Sequence, residues 1–211
     1  MFEPSKQKNL YGHYGIFEEL LRLNYNDKLP NKILLSGQKG IGKSTLAYHL
    51  INYILSKNED HKYKHENYEI DFRNKSFILL NNKSHPNFNL IDVVNDKNNI
   101  EIHQIRELIS NLNKSSFNKN LRFVLIDNIE LLNKNSVNAL LKVLEEPNDN
   151  IIFILINNNK KILPTLKSRC INFNLFLTYN DSINIINNML QDDIHNIINR
   201  ELIDTYITPG K

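Results

Sequence analysis

The sequence predicts an α/β domain in which a parallel sheet is covered by helices on both faces. Three observations carry this. Runs such as residues 123–126 and 151–156 are apolar throughout rather than alternating, as expected of strands buried on both sides. Segments with apolar residues at helical spacing lie between those runs. A glycine-rich loop, Gly37-Gln38-Lys39-Gly40-Ile41-Gly42-Lys43-Ser44, joins the first apolar run to a helical segment.

Residues 15–23 place Ile16, Phe17, Leu20, Leu21 and Leu23 at helical spacing, and residues 26–31 form a turn. Residues 32–36 read as a short buried strand, and the helix after the glycine loop runs to about Leu55. Residues 56–76 are rich in Lys, Asn, His and Glu and read as an exposed loop. His61, His65 and His85 lack tight ligand spacing and read as surface histidines. Residues 85–92 are a turn feeding a strand. Ile102, Ile105, Leu108, Ile109 and Leu112 make a helical stripe. Residues 121–127 are an apolar strand ending in Asp127. Asn135 or Ser136 caps the next helix, with its stripe of Val137, Leu140, Leu141 and Leu144, and Pro147 ends it. Residues 151–156 are a further strand, 161–167 a short helix and 171–173 a last strand. Near Leu175 the character changes, with helical stripes over 182–190 and 194–202. The expected division is a nucleotide-binding domain over 1–175 and a partial helical domain over 176–211.

The chain has 211 residues, with 41% hydrophobic and 23% charged residues, an ordinary globular mix. Its formal net charge of +3 is too small to argue for nucleic acid. The lone cysteine, Cys170, excludes an intrachain disulfide and a four-cysteine zinc cage, and suits a reducing cytosol. Residues 1–6 lack the apolar core of a signal peptide, and no apolar run approaches the roughly 18 residues that span a bilayer. The expected location is the cytoplasm, with no membrane partner.

The glycine loop matches G-x-x-x-x-G-K-[ST] without mismatch, in a strand–loop–helix context. Such a loop turns backbone N–H groups toward phosphates at a helix N-terminus. The candidate nucleotide-binding residues are Gly37, Gly40, Gly42, Lys43, Ser44 and Thr45. Lys43 would reach the β- and γ-phosphates, and Ser44 would ligate Mg²⁺. Asp127, closing an apolar strand, would hold the same Mg²⁺ from the opposite side. Asn157, just past the next strand, would point its amide at the γ-phosphate or the attacking water, as a sensor. The expected ligands are ATP and Mg²⁺.

Residues 138–147, Asn-Ala-Leu-Leu-Lys-Val-Leu-Glu-Glu-Pro, are followed by residues 163–170, Leu-Pro-Thr-Leu-Lys-Ser-Arg-Cys. Together they resemble the AAA+ ATPases of sliding-clamp loaders, which include the bacterial DNA polymerase III gamma/tau and delta-prime subunits and the replication factor C subunits. Leu29-Pro30, His85-Pro86 and the segment 100–112 are most similar to the delta-prime type. The resemblance covers about residues 11–176. It implies an AAA+ P-loop NTPase fold, with residues 176–211 as the start of a helical lid. It implies a hetero-oligomeric ring of loader subunits acting on a sliding clamp and primer-template DNA. Arg169 of the Ser168-Arg169-Cys170 element would be an arginine finger offered in trans to a neighbour's ATP, and Cys170 its packed neighbour. Lys114, Lys119, Arg122 and Lys134 are candidate DNA contacts.

Three departures from the family pattern stand out. The glutamate that usually follows the strand-end aspartate is replaced by Asn128, so ATP binding with weak or no turnover at this chain's own site is expected. Residues 56–76 contain no cysteine where many bacterial relatives carry a zinc module, so no zinc is expected. The chain stops within the lid and reads as a truncated member. Two other readings are kept. Steady ATPase activity of the isolated chain would indicate another AAA+ enzyme of DNA metabolism, such as a helicase loader or branch-migration motor. Failure to bind nucleotide would indicate a non-hydrolysing scaffold.

Overall fold

The computed structural model describes residues 3–94, 97–113, 121–146, 150–194 and 208–210. Five strands form one sheet: β1 (Lys32–Ser36), β2 (Phe88–Ile91), β3 (Arg122–Ile126), β4 (Ile151–Asn157) and β5 (Ile171–Asn174), in the order β2-β3-β4-β1-β5. Every neighbouring pair is parallel. The α-helices among the described residues are α1 (Tyr14–Tyr25), α2 (Lys43–Leu55), α3 (Lys75–Asn81), α4 (Ile102–Asn113), α5 (Lys134–Glu145), α6 (Pro164–Lys167) and α7 (Tyr179–Leu190).

Strand geometry explains the unbroken apolar runs. Successive side chains point to opposite faces, and both faces are covered. Ile33, Leu35, Phe123, Leu125, Ile154 and Ile156 pack with Phe17 and Leu20 of α1 and Leu46, Leu50 and Ile51 of α2. Leu34, Val124, Ile126, Phe153 and Leu155 pack with Ile105 and Leu108 of α4 and Leu140 and Leu144 of α5. β4 lies at the centre and is buried at every position, while β5 is an edge strand with Ile171 and Asn174 exposed. Two-sided apolarity fails at the two edges, β5 and, through Asn89, β2, where one flank has no neighbouring strand.

Residues 56–76 depart from the exposed loop expected of them. Tyr63 and Ile70 are buried in the core. The backbone pairs with the N-terminal segment, Ile70 N–H donating to Lys8 O at 2.8 Å and Leu10 N–H to Tyr68 O at 3.0 Å. Asn74 then caps α3, its side chain accepting from Phe77 N at 2.7 Å. The polar composition conceals a few anchors that hold the segment down. α5 is capped by Asn133, whose Oδ1 accepts from Ser136 N at 2.9 Å, rather than by Asn135 or Ser136. Ser136 instead lies inside the helix and its hydroxyl donates to Ile100 O at 3.0 Å, a buried bond that fixes it there. The short helix of 161–167 contracts to the single turn of α6, begun by Pro164. α7 starts at a capping box formed by Thr178 and Asp181. Pro147 and residues 195–202 of the second expected lid helix lie outside the described residues.

His49 of α2 ties the core to the N-terminal segment. Gln7 O, 3.2 Å from Nε2, can only accept, so Nε2 carries the proton and Nδ1 accepts from Tyr63 OH at 2.9 Å. Burial pushes its pKa down to about 4. The unfolded chain, with an ordinary histidine near 6.5, therefore takes up this proton first. Stability from the neutral imidazole is present above pH 6.5 and is lost as pH falls toward 4, to the extent of roughly 3 kcal/mol. Thermal melts across that window should fall steeply in the wild type. The slope should flatten in His49→Gln, and an unchanged slope would show that other groups set it.

Candidate functional site

β1 delivers the glycine loop to the carboxyl edge of the sheet, where α2 begins. Gly42 precedes α2 in the left-handed region, with φ +92°. A Cβ added there would meet nothing nearer than His13 Cδ2 at 4.0 Å, so backbone conformation, with no crowding, calls for glycine and the cradle stays open. Gly37 anchors the loop: its N–H donates to Asn157 O at 3.2 Å and its carbonyl accepts from Lys43 Nζ at 2.8 Å. Lys43 is buried and donates also to Gln38 O at 2.6 Å. An ammonium has three donors, so one remains for an anion. Burial lowers its pKa to about 8, against the pull of Asp127 and Glu130 toward the charged form.

Ser44 and Asp127, far apart in sequence, meet directly. Ser44 Oγ donates to Asp127 Oδ2 at 2.6 Å. Burial raises the Asp127 pKa, Asp92 adds to the rise, and the bonds from Ser44 and from Asn128 N–H oppose it. Two hard oxygen donors on one side of an anion cradle suit Mg²⁺. The residues present therefore fit a magnesium-bound polyphosphate.

A cavity of about 250 Å³ opens over this loop. Gly40, Gly42, Lys43, Ser44, Thr45, Asp127, Asn128 and Asn158 line it, so most of the sequence-predicted set is brought together. Asn157 is not among the lining residues. It is the last residue of β4, and its side chain closes its own turn, Nδ2 donating to Lys160 O at 3.0 Å and Oδ1 accepting from Lys160 N at 3.3 Å. Asn158 faces the cavity instead. Its Nδ2 donates to Asn128 Oδ1 and to Glu130 Oε1, each at 2.8 Å. Asn128 in turn donates from Nδ2 to Asp92 Oδ1 at 2.8 Å and has left-handed backbone, φ 55° and ψ 48°. Asp92, Asn128, Glu130 and Asn158 thus form one polar network at the strand ends.

Three further walls have no local sequence signal. Pro4, Gln7, Asn9 and Tyr11 come from the N-terminal segment, Ile185 and Met189 from α7, and Pro209 and Gly210 from beyond it. Only topology brings them together.

Arg169 is not part of this cavity. It stands on the turn after α6, donating from Nη1 to Thr165 O at 2.7 Å and pairing through Nη2 with Glu145 on α5. Burial pushes the Cys170 thiol up to about 11, so it is held as an inert packed group. Arg122 donates to Leu112 O at 2.9 Å and Lys134 is exposed at the start of α5, while Lys114 and Lys119 lie outside the described residues. His65 bonds Glu18 at 2.8 Å and His85 accepts from Asn87 N–H at 3.1 Å, in separate places. Among the described residues no helix is long and apolar enough to cross a membrane.

Comparison with known proteins gives a consistent picture. The family described as DNA polymerase III, delta subunit, matches residues 12–177. The chain is 31% identical over 185 residues to DNA polymerase III subunit delta-prime of Buchnera aphidicola subsp. Schizaphis graminum, covering 86% of this chain and 54% of that one. It is 31% identical to the delta-prime subunit of Pseudomonas aeruginosa over 65% of this chain and 40% of the relative. The chain thus spans about half the length of the relatives it matches. Among solved structures, a DNA polymerase III gamma subunit-related protein from Thermotoga maritima superposes with a TM-score of 0.57 at 22% identity, over 80% of this chain and 49% of that one. The RuvB Holliday junction branch migration motor of the same organism gives 0.52 at 18% identity, over 90% and 55%. At such identities these likenesses speak to the fold alone, which is that of AAA+ P-loop proteins.

Proposed function

Because the chain belongs to the DNA polymerase III delta subunit family, we propose that it serves as a delta-prime-type subunit of the polymerase III clamp loader. In this reading it binds ATP with Mg²⁺, joins other loader subunits in a ring, and helps place the sliding clamp on primer-template DNA in the cytoplasm. The observation that carries nucleotide binding is the Ser44–Asp127 contact beneath an intact glycine loop.

The chain's own residues divide the work. Loop N–H groups and the start of α2 receive the phosphate charge. Lys43, fixed by two loop carbonyls, adds a positive charge within the cradle. Ser44 and Asp127 are the oxygen ligands for Mg²⁺, which when bound neutralises the polyphosphate. Asn128 and Asn158 line the cavity and bond each other, and Asn158, whose Nδ2 protons go to Asn128 and Glu130, takes through its Oδ1 the water-orienting part of the sensor role that the sequence assigns to Asn157. With no carboxylate at position 128, turnover here is slow, and the site acts chiefly to set the subunit's shape. Arg169, outside the cavity and held on the turn after α6 by Thr165 and Glu145, serves a neighbour in this reading by exchanging the Glu145 pair for that subunit's phosphate.

Calorimetry of the full chain with Mg-ATP tests the site, and gel filtration with the gamma and delta subunits of its own source tests the ring. The wild type should bind ATP and co-elute with those subunits. Lys43→Ala should weaken ATP binding about 100-fold, the loss expected when a charge-assisted contact of about 2–3 kcal/mol disappears. Equal affinity in wild type and variant would remove the P-loop from the function.

A further inference from the structure

His13 spends its side chain away from its own helix. It immediately precedes α1 with left-handed backbone, φ 55° and ψ 21°, a conformation that residues with a Cβ rarely adopt. The position favours a short polar side chain that bonds first-turn N–H groups, yet His13 makes no such bond. Its Nε2 lies instead 2.6 Å from Ile41 O, inside the glycine loop and 28 residues along the chain. A carbonyl can only accept, so Nε2 carries the proton and donates it. The turn that presents His13 is itself pinned. A Cβ on Gly12, at φ +76°, would lie 3.0 Å from Ile185 Cδ1 of α7 and 3.3 Å from Leu177 Cδ2.

The bond acts on one peptide of the loop. The Ile41–Gly42 peptide is planar and trans, so its C=O and N–H point in opposite directions. With the carbonyl drawn to His13, the Gly42 N–H is turned the other way. Ile41 and Gly42 line the cavity over the loop, and His13 is not among its lining residues. The N–H turned from His13 is therefore turned toward the phosphate cradle. Glycine has the widest choice of backbone orientation, so a bond from outside the loop is what fixes this one. Burial lowers the His13 pKa from 6.5, against the Ile41 bond, while Lys43 adds to the fall and Asp181 opposes it. The ring is neutral at pH 7 and acts as a fixed donor rather than as a charge.

We propose that His13 is a positioning residue for nucleotide binding: its Nε2–H holds the Ile41 carbonyl so that the Gly42 N–H is aimed at a phosphate oxygen of a bound nucleoside di- or triphosphate. This rests on the reading of the glycine loop as a nucleotide site. His13 itself touches no phosphate. A hydrogen bond from an N–H to a charged oxygen is worth about tenfold or more in affinity, and that is what a misaimed Gly42 would lose.

The test is calorimetry with Mg-ATP and Mg-ADP on the full chain for wild type, His13→Met and His13→Gln, beside thermal melting without nucleotide and the NMR signal of the Gly42 amide. Methionine and glutamine have side chains of similar length, but only glutamine carries a donor at about the reach of Nε2. His13→Met should bind both nucleotides about tenfold more weakly, and His13→Gln should stay within a few-fold of wild type, with the two variants melting alike. The Gly42 amide proton should move downfield on saturation with Mg-ADP in wild type and His13→Gln, and by clearly less in His13→Met. Wild-type affinity in His13→Met overturns the proposal while leaving the glycine loop as a nucleotide site. Equal weakening in His13→Gln shows that the donor is not what matters, and the proposal fails. A Gly42 amide that does not respond in saturated wild type overturns it without recourse to any variant. A wild type that binds neither nucleotide at millimolar concentration overturns the underlying reading, and the proposal with it.

Discussion

Replacing Arg169 by alanine should slow ATP hydrolysis at the neighbouring subunit's site by roughly 10³-fold in the assembled ring, the lower end of what an arginine finger contributes. This chain's own ATP affinity should stay within about twofold, since Arg169 lies outside the cavity over Gly40–Thr45. If Arg169 is the proposed finger, its contacts are what would hold a surface side chain in place for the neighbour. Thr165 O and the Glu145 carboxylate hold the guanidinium on the turn after α6, and the Glu145 pair is partly exposed, so exchanging it for a phosphate costs little. Arg169→Lys should fail almost as badly, because an ammonium lacks the planar fork that spreads charge over a transferring phosphoryl group. Single-turnover hydrolysis in rings whose other sites are disabled reads the first effect, and calorimetry on the isolated chain reads the second. A fall in the chain's own affinity with the neighbour's rate intact would make Arg169 a purely structural brace between α5 and α6.

What was legible in the sequence is what local spacing encodes. The glycine loop, the apolar runs of β1, β3 and β4, and the stripes of α4 and α5 each follow from neighbours within a few residues. The Ser44–Asp127 meeting was also reachable, because a strand-end carboxylate has few places to go in a parallel sheet. The register of Asn157 and Asn158 was not. β4 runs one residue beyond its apolar stretch, pairing Ser36 with Asn157, so Asn157 is spent on the last rung and Asn158 is the first residue free to face the cavity. Nothing within three consecutive asparagines marks that step. The anchors Tyr63 and Ile70 were hidden because a polar average says little about a few buried residues. The walls from Pro4–Tyr11 and from Pro209-Gly210 depend on how distant segments pass the same sheet edge, and no short window records that.

The second large effect concerns Asn128, and here the structure changes the experiment. An amide can orient a water but cannot take its proton, and a general base contributes about 10²–10⁴ in rate. Asn128→Glu alone should nevertheless gain little. Asn128 Nδ2 donates to Asp92 Oδ1 at 2.8 Å, so a carboxylate at position 128 would face the Asp92 carboxylate without a proton between them. Like charges at that distance protonate one partner or push it away, and either outcome spoils the base. Pairing it with Asp92→Asn reverses donor and acceptor across the same contact. The amide at position 92 then donates to the carboxylate at position 128, and Asn158 Nδ2, now 2.8 Å from Asn128 Oδ1, can donate to a carboxylate oxygen equally well. The double variant Asp92→Asn/Asn128→Glu should raise hydrolysis at this site about 10²-fold in the assembled complex, with Asn128→Glu near the wild type and ATP affinity changed only a few-fold. If both variants hydrolyse at the wild-type rate while binding ATP normally, the slow step is not proton removal from water. If the single variant equals the double, Asp92 does not govern the position.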